Sequence, residues 1–283
     1  MIKRIDELPA VLTSFAYRQE YFAEMEGMLA TIREHHPDWP IVVGRGPISG
    51  FEMPTLEVES PSGKCYRSLP ACLNIEGSPN DFFRITMIKG WWMSQVWRRF
   101  GNLVDGSSHR LVWSDADARF NGALDIELEP EAEVIAGLWY YDPETPDFDT
   151  INSGLLIFQG GQDGIVERII DQWSMKCVGY MERWPPQTMP RPYGDQEVLN
   201  EVLQSHPDTN GDYVLLKLDL AKYAGYPNDG DKLGPRALVD HWYMSGRMDS
   251  PEYHHLNWPP PDEFRRHAEV GTPFPNINWD PED

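Results

Sequence analysis

The chain lacks any long apolar run, so no segment of it reads as a transmembrane helix, which needs about 20 consecutive apolar residues. Its first residues, Met1-Ile2-Lys3-Arg4-Ile5-Asp6-Glu7-Leu8-Pro9, carry basic side chains but no apolar core of a secretory signal. Cysteine is scarce: Cys65, Cys72 and Cys177 make an odd set with no zinc-type spacing. A reduced, cytoplasmic setting is expected from that usage. Basic residues are few as well. Against 45 acidic residues stand 24 Lys and Arg, a net charge of −21. Such a surface repels nucleic acid and anionic lipid, because backbone binding requires phosphate neutralisation. Arg84, Lys89, Arg98 and Arg99 come nearest to a basic strip, and for Arg98 and Arg99 a solvated helix face is the preferred reading. No internal repeat is visible.

What the chain does have is length for a core and an excess of rings. Its 283 residues include 11 Trp, 12 Tyr and 11 Phe. Rings in that number pack cores and line clefts for flat or sugar-like ligands. Elements alternate along the sequence. Ala10 to Ala16 reads as a strand, Gln19 to His36 as a helix with apolar residues at helical spacing, and Ile41 to Val43 as a second buried strand. Thr55 to Leu69 looks like a hairpin about Pro61-Ser62-Gly63. A helix follows from Asp81, its expected N-cap, to Phe100. Strands are expected at Glu133–Tyr141, Ile151–Phe158 and Tyr213–Leu218, and helices at Gly164–Arg183 and Asp195–Gln204. The Pro-rich stretch from Trp184 to Gly194 reads as a loop. The early strand–helix–strand order predicts an α/β fold, with a mixed or parallel sheet layered by helices. One domain over 1–255 and a Pro-rich tail over 256–283 are expected.

Candidate chemistry begins at Leu111-Val112-Trp113-Ser114-Asp115-Ala116-Asp117. An apolar strand ends there in two carboxylates one residue apart. On extended backbone, side chains i and i+2 share a face, so Asp115 and Asp117 would converge where the strand stops. Hard oxygen donors suit Mg²⁺ or Mn²⁺, and the C-terminal edge of an open α/β sheet is where ligands bind. A strand running into an acidic turn is the plain alternative. Asn152-Ser153-Gly154 precedes another apolar run: Asn152 offers an amide to a hydroxyl-rich ligand and Gly154 permits close backbone approach, or the three form a turn. Tyr193-Gly194-Asp195-Gln196 opens a helix, with Asp195 as either a ligand-facing carboxylate or the N-cap. Late in the chain, His241 offers a metal ligand and Arg247 a phosphate-binding guanidinium.

The order of these segments resembles GT-A nucleotide-sugar glycosyltransferases, most of all the retaining, metal-dependent family 8 and the related nucleotide-diphospho-sugar transferases with Ser-Asp-Ala-Asp-type motifs. The resemblance spans residues 10 to 250. It implies a Rossmann-like GT-A domain, a nucleoside-diphosphate-sugar donor with UDP favoured, Mn²⁺ or Mg²⁺ as cofactor, and a hexosyltransferase activity toward a saccharide, protein or small-molecule hydroxyl. It implies Asp115, Asp117 and His241 as metal ligands, with Asp115 shared with the ribose. Thr13, Ser14, Phe15 and Ala16 would line the nucleotide, with Phe15 or Tyr17 near the base. Lys89, Asn152, Gly154 and Arg247 would complete the donor site. Asp195 would bind a sugar hydroxyl and Gln196 would lie under the anomeric carbon. The interval from Lys89 to Asp115 is longer than that pattern has, and the usual Lys-Pro-Trp ending near Arg247 is missing. Two other functions fit the same residues: glycosylation of a hydroxymethylated DNA base, against which the charge weighs, and nucleotide-sugar binding or hydrolysis without transfer.

Overall fold

The computed structural model describes residues 2–16, 19–45, 55–59, 65–68, 82–100, 109–140, 150–183, 194–207, 211–219, 223 and 239–241. The chain opens with β1 (Lys3–Arg4), a 3-10 turn (Ile5–Glu7), β2 (Val11–Ala16), α1 (Gln19–His35), β3 (Ile41–Arg45), β4 (Thr55–Glu59), β5 (Cys65–Ser68) and α2 (Phe82–Phe100). It continues through β6 (His109–Ser114), β7 (Ala118–Phe120), β8 (Glu127–Leu128), β9 (Val134–Tyr140) and β10 (Thr150–Gly160). Then come α3 (Ile165–Arg183), α4 (Asp195–Ser205), β11 (Val214–Asp219) and β12 (Val239–His241).

Eight strands form one sheet in the order β11-β9-β10-β6-β2-β3-β4-β5. β2 runs parallel to both β3 and β6, and β11 runs parallel to β9, while β10 is antiparallel to β6 and β9. The sheet is therefore mixed, and its β2–β3 pair is parallel as the strand–helix–strand start implies. The C-terminal ends of β2, β3, β6, β9 and β11 share one edge with the N-terminal end of β10.

Side-chain alternation builds the two sides of this sheet. Val11, Val42, Leu111, Trp113, Ile135, Leu156 and Phe158 join one buried cluster with α2, α3 and α4. Their neighbours Leu12, Ile41, Val43, Val112, Ala136, Leu155 and Ile157 join a second cluster with Met25, Met28, Leu29 and Ile32 of α1. Strands apolar on both faces have to be covered on both faces, and the three-layer arrangement follows. α2 comes close to α3 at Gly90, where an added Cβ would stand 3.0 Å from Cys177 Sγ and 3.2 Å from the Trp173 carbonyl. At the opposite edge from the strand ends, Glu133 accepts hydrogen bonds from Gly161 N (2.7 Å) and Val166 N (3.0 Å), so a carboxylate fills the N-terminal end of α3. Gly164 leaves it the room, because a Cβ there would run into that carboxylate.

Most expected elements stand within a residue or two of their sequence limits. The hairpin is present as antiparallel β4 and β5. Two local expectations are corrected. Asn152-Ser153-Gly154 is neither a turn nor the start of a strand: β10 begins at Thr150, and the three residues lie inside it, where the pairing with β9 shifts between Asn152 and Leu156. Extra residues accommodated in this way make a β-bulge. Asp195 is not the N-cap of α4; Gly194 is, with extended backbone. The expected cap at Asp81, the loop from Trp184 to Tyr193 and the tail over 256–283 lie outside the described residues. Among the described residues, no helix is long and apolar enough to cross a membrane.

Candidate functional site

β6 ends at Ser114, and Asp115 to Asp117 form a tight turn into β7, closed by Ala118 N donating to Asp115 O at 3.1 Å. The same-face relation expected between Asp115 and Asp117 therefore belongs to Trp113 and Asp115 instead. Trp113 faces the α2 layer, and so does the first carboxylate: Trp113 Nε1 donates to Asp115 Oδ1 at 2.8 Å. Asp115 and Asp117 are both half-buried on this turn.

Lys89, on the sheet-facing side of α2, is the hub of the site. Its ammonium lies 2.8 Å from Asp115 Oδ1 and 3.1 Å from Asp195 Oδ2. It also donates to the Ser153 carbonyl at 3.2 Å and to Ser153 Oγ at 3.1 Å. Lys89 is 5% exposed and Asp195 4%. Burial alone would lower the Lys89 pKa, but the Asp115 and Asp195 carboxylates outweigh it and hold the ammonium well above the ordinary lysine range. Lys89 therefore stays charged between the two carboxylates. Asp195 Oδ2 is ion-paired with Lys89 but lies off the direction of a good hydrogen bond, and it is otherwise buried without a hydrogen-bond partner.

The bulge in β10 supplies the third side. Asn152 Oδ1 accepts from Gly154 N at 2.8 Å, and the Gly154 carbonyl accepts from Asp115 N at 2.9 Å. The bulge thus holds the Asp115 backbone while Ser153 holds Lys89. From α4, Gln196 Oε1 reaches Ser153 N at 3.4 Å. Asn200 braces this junction: it accepts from Ile151 N (2.9 Å) and donates to Ile151 O (2.9 Å) and Gln196 O (2.8 Å). Asp195 is spared for Lys89 because Glu197 takes up the Gly194 N–H at 2.7 Å, the reciprocal half of a capping box.

Lys89, Asp115, Asn152, Gly154, Asp195 and Gln196, expected from sequence to act together, are brought into one connected network at the C-terminal edge of the parallel strands. The four residues at the end of β2 divide. Thr13 and Ser14 are fully buried and Ala16 nearly so. Thr13 Oγ1 donates to Val42 O and receives Trp92 Nε1, each at 2.8 Å, which places that hydroxyl between sheet and helix. Phe15 is only partly buried and lies 5.3 Å from Trp113, ring centre to ring centre. β12 pairs with β7 in the register His241↔Ala118, so the His241 backbone stands across from the residue after Asp117. Arg247 and Tyr17 lie outside the described residues. Ser153, Asn200 and Trp113 were not singled out as site residues from the sequence. Ser153 sits within the motif that was, and Asn200 follows Gln196 by one helical turn, so both carried a positional signal.

No family model matches the chain, and no curated protein matches it in sequence. Among solved structures, it is similar to a glycosyltransferase involved in the glycosylation of the major capsid of PBCV-1, at 13% identity and a TM-score of 0.47. That likeness covers 93% of this chain and 100% of the other. A likeness that distant carries no functional weight, and the chemistry has to come from the residues themselves.

Proposed function

We propose that this protein is a metal-dependent, retaining glycosyltransferase that takes a sugar from a nucleoside-diphosphate donor, with a UDP-sugar favoured. One observation carries the reading. Segments far apart in sequence, which in GT-A enzymes make the donor site, meet on the ligand-binding edge of an α/β sheet as a single hydrogen-bonded network around Lys89, Asp115, Ser153 and Asp195.

The donor set suits a hard divalent cation. Asp115 and Asp117 share one turn, and the register of β12 sets His241 beside it. These three residues would hold Mn²⁺ or Mg²⁺, which when bound supplies positive charge to the leaving diphosphate. Among the described residues, no group of three His, Cys, Asp or Glu is gathered for a metal, and His241 is proposed as the third ligand on the register of β12 alone. Lys89 pairs with the first carboxylate and orients it. Gln196, held by Asn200 and Ser153, is the amide nearest the expected sugar. An amide is a poor nucleophile, and Asp195 is engaged by a buried ammonium. A same-face attack, with the leaving phosphate accepting the acceptor's proton, therefore fits these residues better than a glycosyl-enzyme on Asp195.

The test is a panel of UDP-, GDP- and TDP-sugars with Mn²⁺, with and without saccharide acceptors, reading nucleoside diphosphate release. Release from one donor, lost on chelation and in Asp117→Ala, is expected. Absence of release from every donor sinks the proposal, and full turnover by Asp117→Ala sinks its metal assignment.

A further inference from the structure

We propose that Trp113 is a positioning residue of the donor site, acting through the indole N–H that it gives to Asp115; this rests on the donor-site reading above. Trp113 is 2% exposed and packs its ring against Phe15 on the α2 side of the sheet. Packing alone would be served by phenylalanine at that place. The nitrogen is what needs an explanation. Nε1 stands 2.8 Å from Asp115 Oδ1, the same oxygen that Lys89 Nζ reaches at 2.8 Å.

Two donors on one carboxylate oxygen do different work. Lysine brings charge on a flexible four-carbon stem and imposes little direction. The indole is rigid, set by the strand and by Phe15, and its N–H points along one line. It therefore fixes the rotation of the Asp115 carboxylate. The Asp115 backbone is already held at both ends, N to the Gly154 carbonyl at 2.9 Å and O from Ala118 N at 3.1 Å. The Lys89 ammonium also lies 4.9 Å from the centre of the Trp113 ring, so the same side chain supports the cation from its face. A carboxylate held in backbone, rotation and partner meets a ligand without first being ordered, and that preorganisation lowers the cost of binding.

Trp113→Phe removes the N–H and keeps a ring against Phe15. UDP with Mg²⁺ is titrated into wild type and variant by calorimetry, alongside urea unfolding and, in a turnover assay, donor KM and kcat. A hydrogen bond to a charged group predicts about tenfold weaker UDP–Mg²⁺ binding and a matching rise in donor KM with little change in kcat, beside the lower unfolding midpoint that loss of the bond and of part of a buried ring brings. Equal binding by variant and wild type overturns the proposal. So does a loss of stability with binding unchanged, which marks Trp113 as packing only. If Trp113→Phe does not fold, Asp115→Asn decides by ¹⁵N-indole NMR. Neutralising the acceptor must shift one buried indole proton upfield, and an unchanged indole spectrum overturns the proposal. Wild type that binds no nucleoside diphosphate brings down the donor-site reading, and this inference with it. That result differs from wild type and variant binding alike, which brings down the Trp113 role alone.

Discussion

Replacing Lys89 with methionine tests the hub directly. The substitution keeps the side-chain stem as far as Cε and deletes the ammonium. Two carboxylates then face each other with Asp195 almost wholly buried and the Asp115 side chain 28% exposed. At an effective dielectric constant near 20, each ion pair at these separations is worth about 5–6 kcal/mol before desolvation is counted. Most of that is spent in bringing the ammonium out of water, so the net effect is better judged from buried pairs that lose one partner, which cost about 3–5 kcal/mol. Asp115 can regain water, so most of the cost falls on Asp195, and a loss of about 3 kcal/mol is expected for Lys89→Met. That is a large part of the stability of an ordinary domain. Urea unfolding of wild type, Lys89→Met, Asp195→Asn and the double variant at pH 7 gives the coupling between the two residues. The double variant should recover about 2 kcal/mol relative to Lys89→Met. The loss should also persist in high salt, because a buried pair is poorly screened. A penalty under about 1 kcal/mol, or additive single effects, would refute the view of Lys89 as the buried counter-ion of Asp195.

Other perturbations follow from single contacts. His36 Nε2 accepts the Leu124 N–H at 3.1 Å, and its pKa is pushed down to about 4 by burial, with His35 adding to this and Asp6 opposing it. The folded value lies below the ordinary 6.5, so the unfolded chain takes up the proton first. The contribution is complete above pH 6.5 and is lost as pH falls toward 4, an effect of about 2 kcal/mol after solvent screening. Unfolding free energies across that range should flatten in His36→Gln, and an equal slope would count against it. Glu133→Ala should cost about 1–2 kcal/mol through the lost N-terminal partner of α3. Gly164→Ala should be far less harmful in that background than in wild type, as read by thermal unfolding. Asn200→Ala should lower kcat/KM about tenfold by freeing Gln196 from β10, while α4 keeps its helical signal in circular dichroism.

The inner strands of the central sheet were legible because they had to be apolar on both faces: Leu111-Val112-Trp113 and Leu155 to Phe158 feed the two clusters by turns. α1 was legible from Met25, Met28, Leu29 and Ile32, which fall on one face. β1, β7, β8 and β12 were missed, since two or three residues carry no period. Asn152-Ser153-Gly154 misled because polar residues and glycine signal a turn, and only pairing with two neighbouring strands reveals a bulge. Asp195 looked like a helix cap, yet Glu197 two positions on already met the cap's N–H. The individual residues of the site were visible, but their connection was not. Nothing local to Lys89 says that its ammonium crosses to β6, β10 and α4, because that depends on how α2 lies over the sheet.

The short pairing of β12 with β7 bears on the order in which this molecule becomes competent. Among the described residues, the eight-stranded sheet is complete by Asp219 and the Lys89 contacts extend no further than Asn200. Among the described residues, the His241 backbone comes beside the acidic turn through a three-residue ribbon laid down more than a hundred residues after Asp117. Folding of the scaffold and completion of the proposed cation site would thus be separable in time. A nascent chain can hold a finished sheet, with both carboxylates in place, and still lack its imidazole. Fraying of three backbone pairs would undo the last step alone and leave the rest standing.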